Sequence, residues 1–181
     1  MKNLFLFSLC FFLVYSCQFH NQNKENDTNT SMVYSDSKHN LSFRYTENWE
    51  QQQPQLESTL CLFYEKQLHA SCNVSIIKAE RNQVEKYDEK YMSIIANKAF
   101  NDVNNLTVRF ESLAGRKFSI CMFEFKYPMN SEGEIINGKS IFYTTNSNGN
   151  RFMMVFTVPT ENYALLKSEI YKMGSTFLIN N

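Results

Sequence analysis

Cys61, His69 and Cys72 fall in one short stretch, "CLFYEKQLHASC", the grouping in this chain best suited to metal or thiol chemistry. Structural zinc takes four ligands, usually with its cysteines in close pairs. The stretch lacks a fourth ligand and its cysteines are far apart, so no metal site is expected. A disulfide is the other option. Of the five cysteines, Cys10 and Cys17 lie in the N-terminal region, leaving Cys61, Cys72 and Cys121. That odd number permits one bridge and one free thiol. The runs around Cys61 and Cys72 read as two strands flanking "KQLHA". A turn centred on Lys66-Gln67 would set the two cysteines directly opposite each other, which makes them the disulfide candidate. Three buried free thiols are the alternative.

The remaining chemistry is sparse. His39 and His69 fall in turns, where solvated histidines are common, and His20 lies near the N-terminus. There is no Gly-x-Ser-x-Gly elbow, and five scattered glycines build no phosphate loop. Glu124 alternates with Phe123 and Phe125, the pattern of the solvent side of an amphipathic strand. No nucleophile-base pair can be assembled, so no catalytic residue, metal or cofactor is assigned and a non-enzyme is expected.

Cys17 has a different chemistry. In "FFLVYSCQFHNQNKENDTNT" the side chains before Cys17 are almost all apolar and those after it almost all polar. Lys2 and the apolar run Leu4 to Tyr15 read as a secretory signal, too short for the roughly 20 residues that span a bilayer. Val14-Tyr15-Ser16-Cys17 resembles the lipobox of bacterial lipoproteins. That resemblance implies diacylglycerol on the Cys17 thiol, cleavage after Ser16 and acylation of the new amino terminus. Residues 1–16 are then the signal peptide and 17–31 a flexible tether, too polar to bury a core. Gln18 is not the aspartate that retains enteric-type lipoproteins at the inner membrane. The resemblance therefore implies the outer membrane, facing the periplasm or the exterior.

Residues 32–181 are the size of one domain with a sizeable core. Eighteen basic and eighteen acidic residues cancel, and nothing shows the basic bias of a nucleic-acid surface. Abundant Phe and Tyr with few Gly and Pro predict a sheet-rich domain.

The elements follow from periodicity. Met32–Asp36 and Leu41–Tyr45 read as strands, then "QQQPQLE" as a loop behind Trp49. Thr59–Glu65 and Ala70–Lys78 make the next hairpin. Helical spacing takes over from Gln83 to Phe100, with Asn82 and Glu85 as a capping box. "LTVRFESL" and "KFSICMFEFKY" flank the turn Ala114-Gly115. "YPMNSEGEIING" reads as an exposed loop. Asn148-Gly149 is the pair a tight hairpin prefers, and Pro159-Thr160 opens a last helix with Tyr163, Leu166, Ile170, Met173 and Phe177 on one stripe. Strands with segregated helices mean α+β. Strands apolar on both sides ("SICMF", "RFMMVF") and two one-striped helices predict a central antiparallel sheet sandwiched between helices.

This order, with "LSFRYTENWE" near the start and "MGSTF" at the end, resembles the PsbP-like fold. That grouping includes PsbP of photosystem II, the Ran-release factors and many bacterial lipoproteins. "FRYTENW" is similar to its strand-Tyr-Pro-x-x-Trp element, with Thr46 in place of the proline. The resemblance implies an α/β/α sandwich and a non-catalytic binding or scaffolding role; a carrier for a hydrophobic ligand is the alternative. Trp49 either anchors its turn from the core or lines a binding cleft. Ile135 and Ile136, an apolar pair inside a polar loop, are the other binding candidates. The expected partners are the membrane, through the lipid anchor, and a protein, not nucleic acid.

Overall fold

A computed structural model describes residues 31–79, 83–128 and 135–180. The signal, cleavage and lipidation positions, Ser16 and Cys17 among them, and the tether up to residue 30 lie outside these residues.

The strands are β1 (Ser31–Asp36), β2 (Leu41–Thr46), β3 (Trp49–Gln52), β4 (Thr59–Glu65) and β5 (Ala70–Lys78), followed by helix α1 (Glu89–Ala99). Then come β6 (Asn101–Leu113), β7 (Arg116–Pro128), β8 (Ile135–Ser147), β9 (Asn150–Pro159), helix α2 (Tyr163–Ser175) and β10 (Leu178–Ile179). Seven strands form one antiparallel sheet in the order β3-β4-β5-β9-β8-β7-β6; β1, β2 and β10 form a separate small sheet. The order has one physical cause. After β5 the chain crosses one sheet face through α1 and enters at the far edge as β6. It then meanders back until β9 meets β5.

Alternation along β7, β8 and β9 builds two cores. Phe118, Ile120, Tyr143, Met154 and Phe156 face α2 and the small sheet, meeting Leu166, Ile170, Met173, Phe177, Leu41 and Phe43. Phe123, Phe125, Phe142, Met153 and Val155 face the other way, against Tyr87, Met92 and Ala96. The central strands are buried on both sides, and the architecture is the expected α+β sandwich.

Several local expectations change. Ala114 and Gly115 (φ +50° and +77°), and Asn148 and Gly149 (φ +50° and +72°), close their hairpins as anticipated. The α1 region does not. A single 3-10 turn at Val84–Lys86 precedes the helix, which starts at Glu89. The cap is Asp88, whose carboxylate accepts the Tyr91 amide at 2.9 Å. Asn82 is outside the described residues, and Glu85 instead pairs with Lys117 at 2.6 Å. The buried face is Met92 and Ala96, with Ile94 turned to solvent. Gln51 and Gln52 belong to β3, pairing with Phe63 and Leu62.

Gly174 brings α2 close against the large sheet. A Cβ there would lie inside contact distance of the Tyr143 ring.

Candidate functional site

The β4–β5 hairpin disposes of the disulfide. Glu65 pairs with Ala70, so the turn is Lys66-Gln67-Leu68-His69, four residues rather than two, and His69 closes it at φ +53°. The register therefore sets Cys61 opposite Val74 and Cys72 opposite Phe63. Both thiols are free and buried, as is Cys121. Burial pushes Cys61 and Cys121 up to about 12 and raises Cys72 well above the ordinary thiol value. A buried neutral thiol is a poor nucleophile and a poor ligand. His69 is held by Tyr64, Oη to Nδ1 at 3.0 Å, and Tyr64 alternates with Phe63 and so points away from the cysteine face. No cluster of metal-ligating side chains occurs among the described residues. His39 belongs to its own turn. Its Nδ1 lies 2.8 Å from Asp36 Oδ2. Partial burial would raise the Asp36 carboxyl, but the His39 bonds outweigh it and hold it below the usual range.

Trp49 is 1 % exposed, so it presents no surface to a ligand. Its ring packs edge-on against Phe156, and Nε1 donates to Glu169 of α2 at 2.9 Å. Thr46 Oγ1 and Asn48 Nδ2 donate to the same carboxylate, each at 3.2 Å. The sequence offered no signal for Glu169, a polar residue on the flank of the α2 stripe.

Ile135 and Ile136 are placed differently from expectation. They are the first residues of β8, paired with Pro128 and Tyr127, rather than part of a loop. Ile135 is 64 % exposed. Aromatic rings pack on the opposite face of these strand ends. Tyr127 stacks on Phe125 with ring centroids 5.4 Å apart, and both rings lie over Gly138, where a Cβ would collide with them. Burial, with Tyr64 and Glu161 nearby, pushes the Tyr127 hydroxyl up to about 12.

Beside them Lys139 pairs with Glu124 at 3.1 Å, and Asn105 donates to the same carboxylate at 2.8 Å. Glu124 is therefore tied down rather than simply solvated, and the Asn105 bond foremost keeps its pKa low. Lys139 also lies 4.6 Å from the Tyr163 ring centre. Asn162 Nδ2 donates to Leu68 O at 3.0 Å, joining the β4–β5 turn to the start of α2 at this end of the sheet. The result is a rim on which Ile135 stands exposed on the sheet face that carries Lys139 and Glu124, with Tyr127 and Phe125 on the other face. Such a rim can recognise a surface.

Two depressions of about 330 and 450 Å³ lie elsewhere. One is bounded by Glu85, Asp88, Lys90 and Ile94, the other by Gly115, Arg116, Leu178 and Asn180. Both are open to solvent, and neither encloses an apolar ligand.

No family model and no curated protein matches the sequence. Solved structures do match the fold. Cyanobacterial PsbP (CyanoP) from Synechocystis sp. PCC 6803 superposes with a TM-score of 0.61 at 12% identity, covering 88% of this chain and 98% of that one. The Ran-binding protein Mog1p of Saccharomyces cerevisiae gives 0.55 at 6% identity, covering 84% and 96%. A protein of Bacteroides thetaiotaomicron gives 0.55 at 15% identity over 82% of this chain, which spans about half of that longer one (48%). At these identities the likeness is one of fold: the chain has the PsbP-like fold.

Proposed function

We propose that this protein is a non-catalytic, lipid-anchored binding or scaffolding module of the cell envelope, recognising a protein partner through the rim around Ile135. The observation that carries the reading is the exposure of Ile135 on an ordered strand. Burying an aliphatic side chain is worth about 1.5–3 kcal/mol, and here that gain is left for a partner. The same scaffold serves a binding protein in Mog1p. The anchor rests on Val14-Tyr15-Ser16-Cys17 and the polar tether behind it, and the outer-membrane assignment on Gln18.

Two experiments test it. Ile135→Asp should leave thermal stability unchanged while removing the protein that co-purifies with the detergent-solubilised chain; adding Ile136→Asp should deepen the loss. Partners retained by Ile135→Asp, or turnover of any substrate by the wild type, would overturn the reading. Cys17→Ser should abolish acyl chains seen by mass spectrometry and release the domain from membranes. Continued membrane partitioning, with an unmodified wild-type N-terminus, would defeat the anchor.

A further inference from the structure

The long edge strand β6 carries an inference independent of the Ile135 rim. It runs thirteen residues and ends the seven-stranded sheet, with β7 as its neighbour. A sheet edge exposes a row of N–H and C=O groups that template pairing with another chain, and proteins blunt such edges with bulges, prolines or charged side chains, lysine above all. In β6 the backbone irregularity is confined to the first half. Register shifts between Asn101 and Thr107 coincide with positive φ at Asp102 and Asn105. From Thr107 to Leu113 the pairing with β7 is continuous, and the run contains neither Pro nor Lys. Phe110, in the middle of that run, is 41 % exposed.

The side chains of this run are complementary to themselves. We propose that β6 pairs antiparallel with β6 of a second copy about a two-fold axis at Phe110, fusing two sheets into one. In that register Phe110 faces Phe110. Arg109 of each copy faces Glu111 of the other, on the opposite side of the strand. Aromatic pairs and opposite charges directly across an antiparallel ladder are favourable, and like charges are not. A two-fold interface requires this self-complementarity. The charges also select the register. Centring the axis on residue 109 sets Arg109 against Arg109, and centring it on residue 111 sets Glu111 against Glu111. Within one molecule Arg109 Nε and Glu111 Oε1 are 2.5 Å apart at a solvated surface, so dimerisation only exchanges the partners of an existing pair.

The test uses two differently tagged copies of the full chain, co-expressed and captured through one tag. Wild-type copies should co-purify. Arg109→Glu alone and Glu111→Arg alone should each reduce capture by about tenfold, the scale of two cross-strand pairs turned repulsive. Mixing the Arg109→Glu chain with the Glu111→Arg chain should restore it. That mixture sets carboxylate against guanidinium at both contacts while neither chain keeps its internal pair. Restoration can therefore arise only between molecules, and it also shows that both variants fold. Wild-type copies that do not co-purify, single variants captured like wild type, or a mixture no better than the single variants would overturn the proposal. So would a different protein, in place of the second copy, that is captured by wild type and lost with either variant.

Discussion

Trp49 and Glu169, 120 residues apart in the chain, are joined by a 2.9 Å hydrogen bond that pins the start of β3 to α2. The carboxylate also accepts from Thr46 and Asn48, so one α2 residue gathers the whole 46–49 turn. This replaces the rigidity a proline at position 46 would have supplied: Thr46 contributes a hydrogen bond where proline would restrict φ.

Glu169→Ala should therefore destabilise the domain by about 1–3 kcal/mol, since hydrogen bonds to charged groups are the stronger kind and the buried indole N–H is left without its acceptor. Glu169→Gln, which keeps an acceptor, should cost less. Chemical denaturation of the two variants gives the comparison, and equal losses would show that the acceptor glutamine retains does not hold the turn.

Gly174 over Tyr143 makes a second sharp prediction. Gly174→Ala drives a methyl into the ring, and such overpacking costs about 1–3 kcal/mol or more. The loss should shrink in a Tyr143→Leu background, which clears the space. Additive effects in the double-mutant cycle would mean that the two residues do not meet.

Leu166 and Ile170 sit at 3 % exposure in the core between α2 and the sheet. Each truncation to alanine should cost about 2–5 kcal/mol. That is a large part of the roughly 5–15 kcal/mol that holds a domain together. Losses below about 1 kcal/mol at both sites would place the α2 stripe away from the core.

The thiols set an alkaline limit. Burial raises Cys61, Cys72 and Cys121 above the ordinary value of about 8.5, so the folded state favours their protonated forms. Their contribution is complete below the unfolded pKa and declines as pH rises from there toward the folded values near 12. Native protein at neutral pH should resist alkylation at all three positions until it unfolds. Rapid labelling of native Cys61 or Cys72 would contradict their burial.

Where backbone conformation is decided within a few residues, the sequence was readable. Asn148-Gly149 and Gly115 tolerate positive φ and so declared their hairpins, Ala114 being carried into the same region beside its glycine. The α2 stripe repeated at helical spacing, and the two-sided apolar strands β7 and β9 announced a sheet buried on both faces. The β4–β5 turn was different: "KQLH" contains no glycine to mark its length, and a change of two residues in turn length altered which residue faces each cysteine.

By itself, then, the sequence determined the α+β class, the α2 stripe and most strand limits, because those depend on local periodicity and turn chemistry. Tertiary structure decided the rest. Trp49 became a core residue through a carboxylate on a distant helix, and β1 and β2 joined β10 in a separate sheet. Ile135 acquired a strand partner yet kept its side chain in solvent, and β6 became an open edge because α1 carries the chain past the three positions later filled by β9, β8 and β7. Burial and pairing are properties of which segments meet. A segment's own residues cannot report them, because the same alternating pattern serves an edge strand and an interior one until its neighbours are in place.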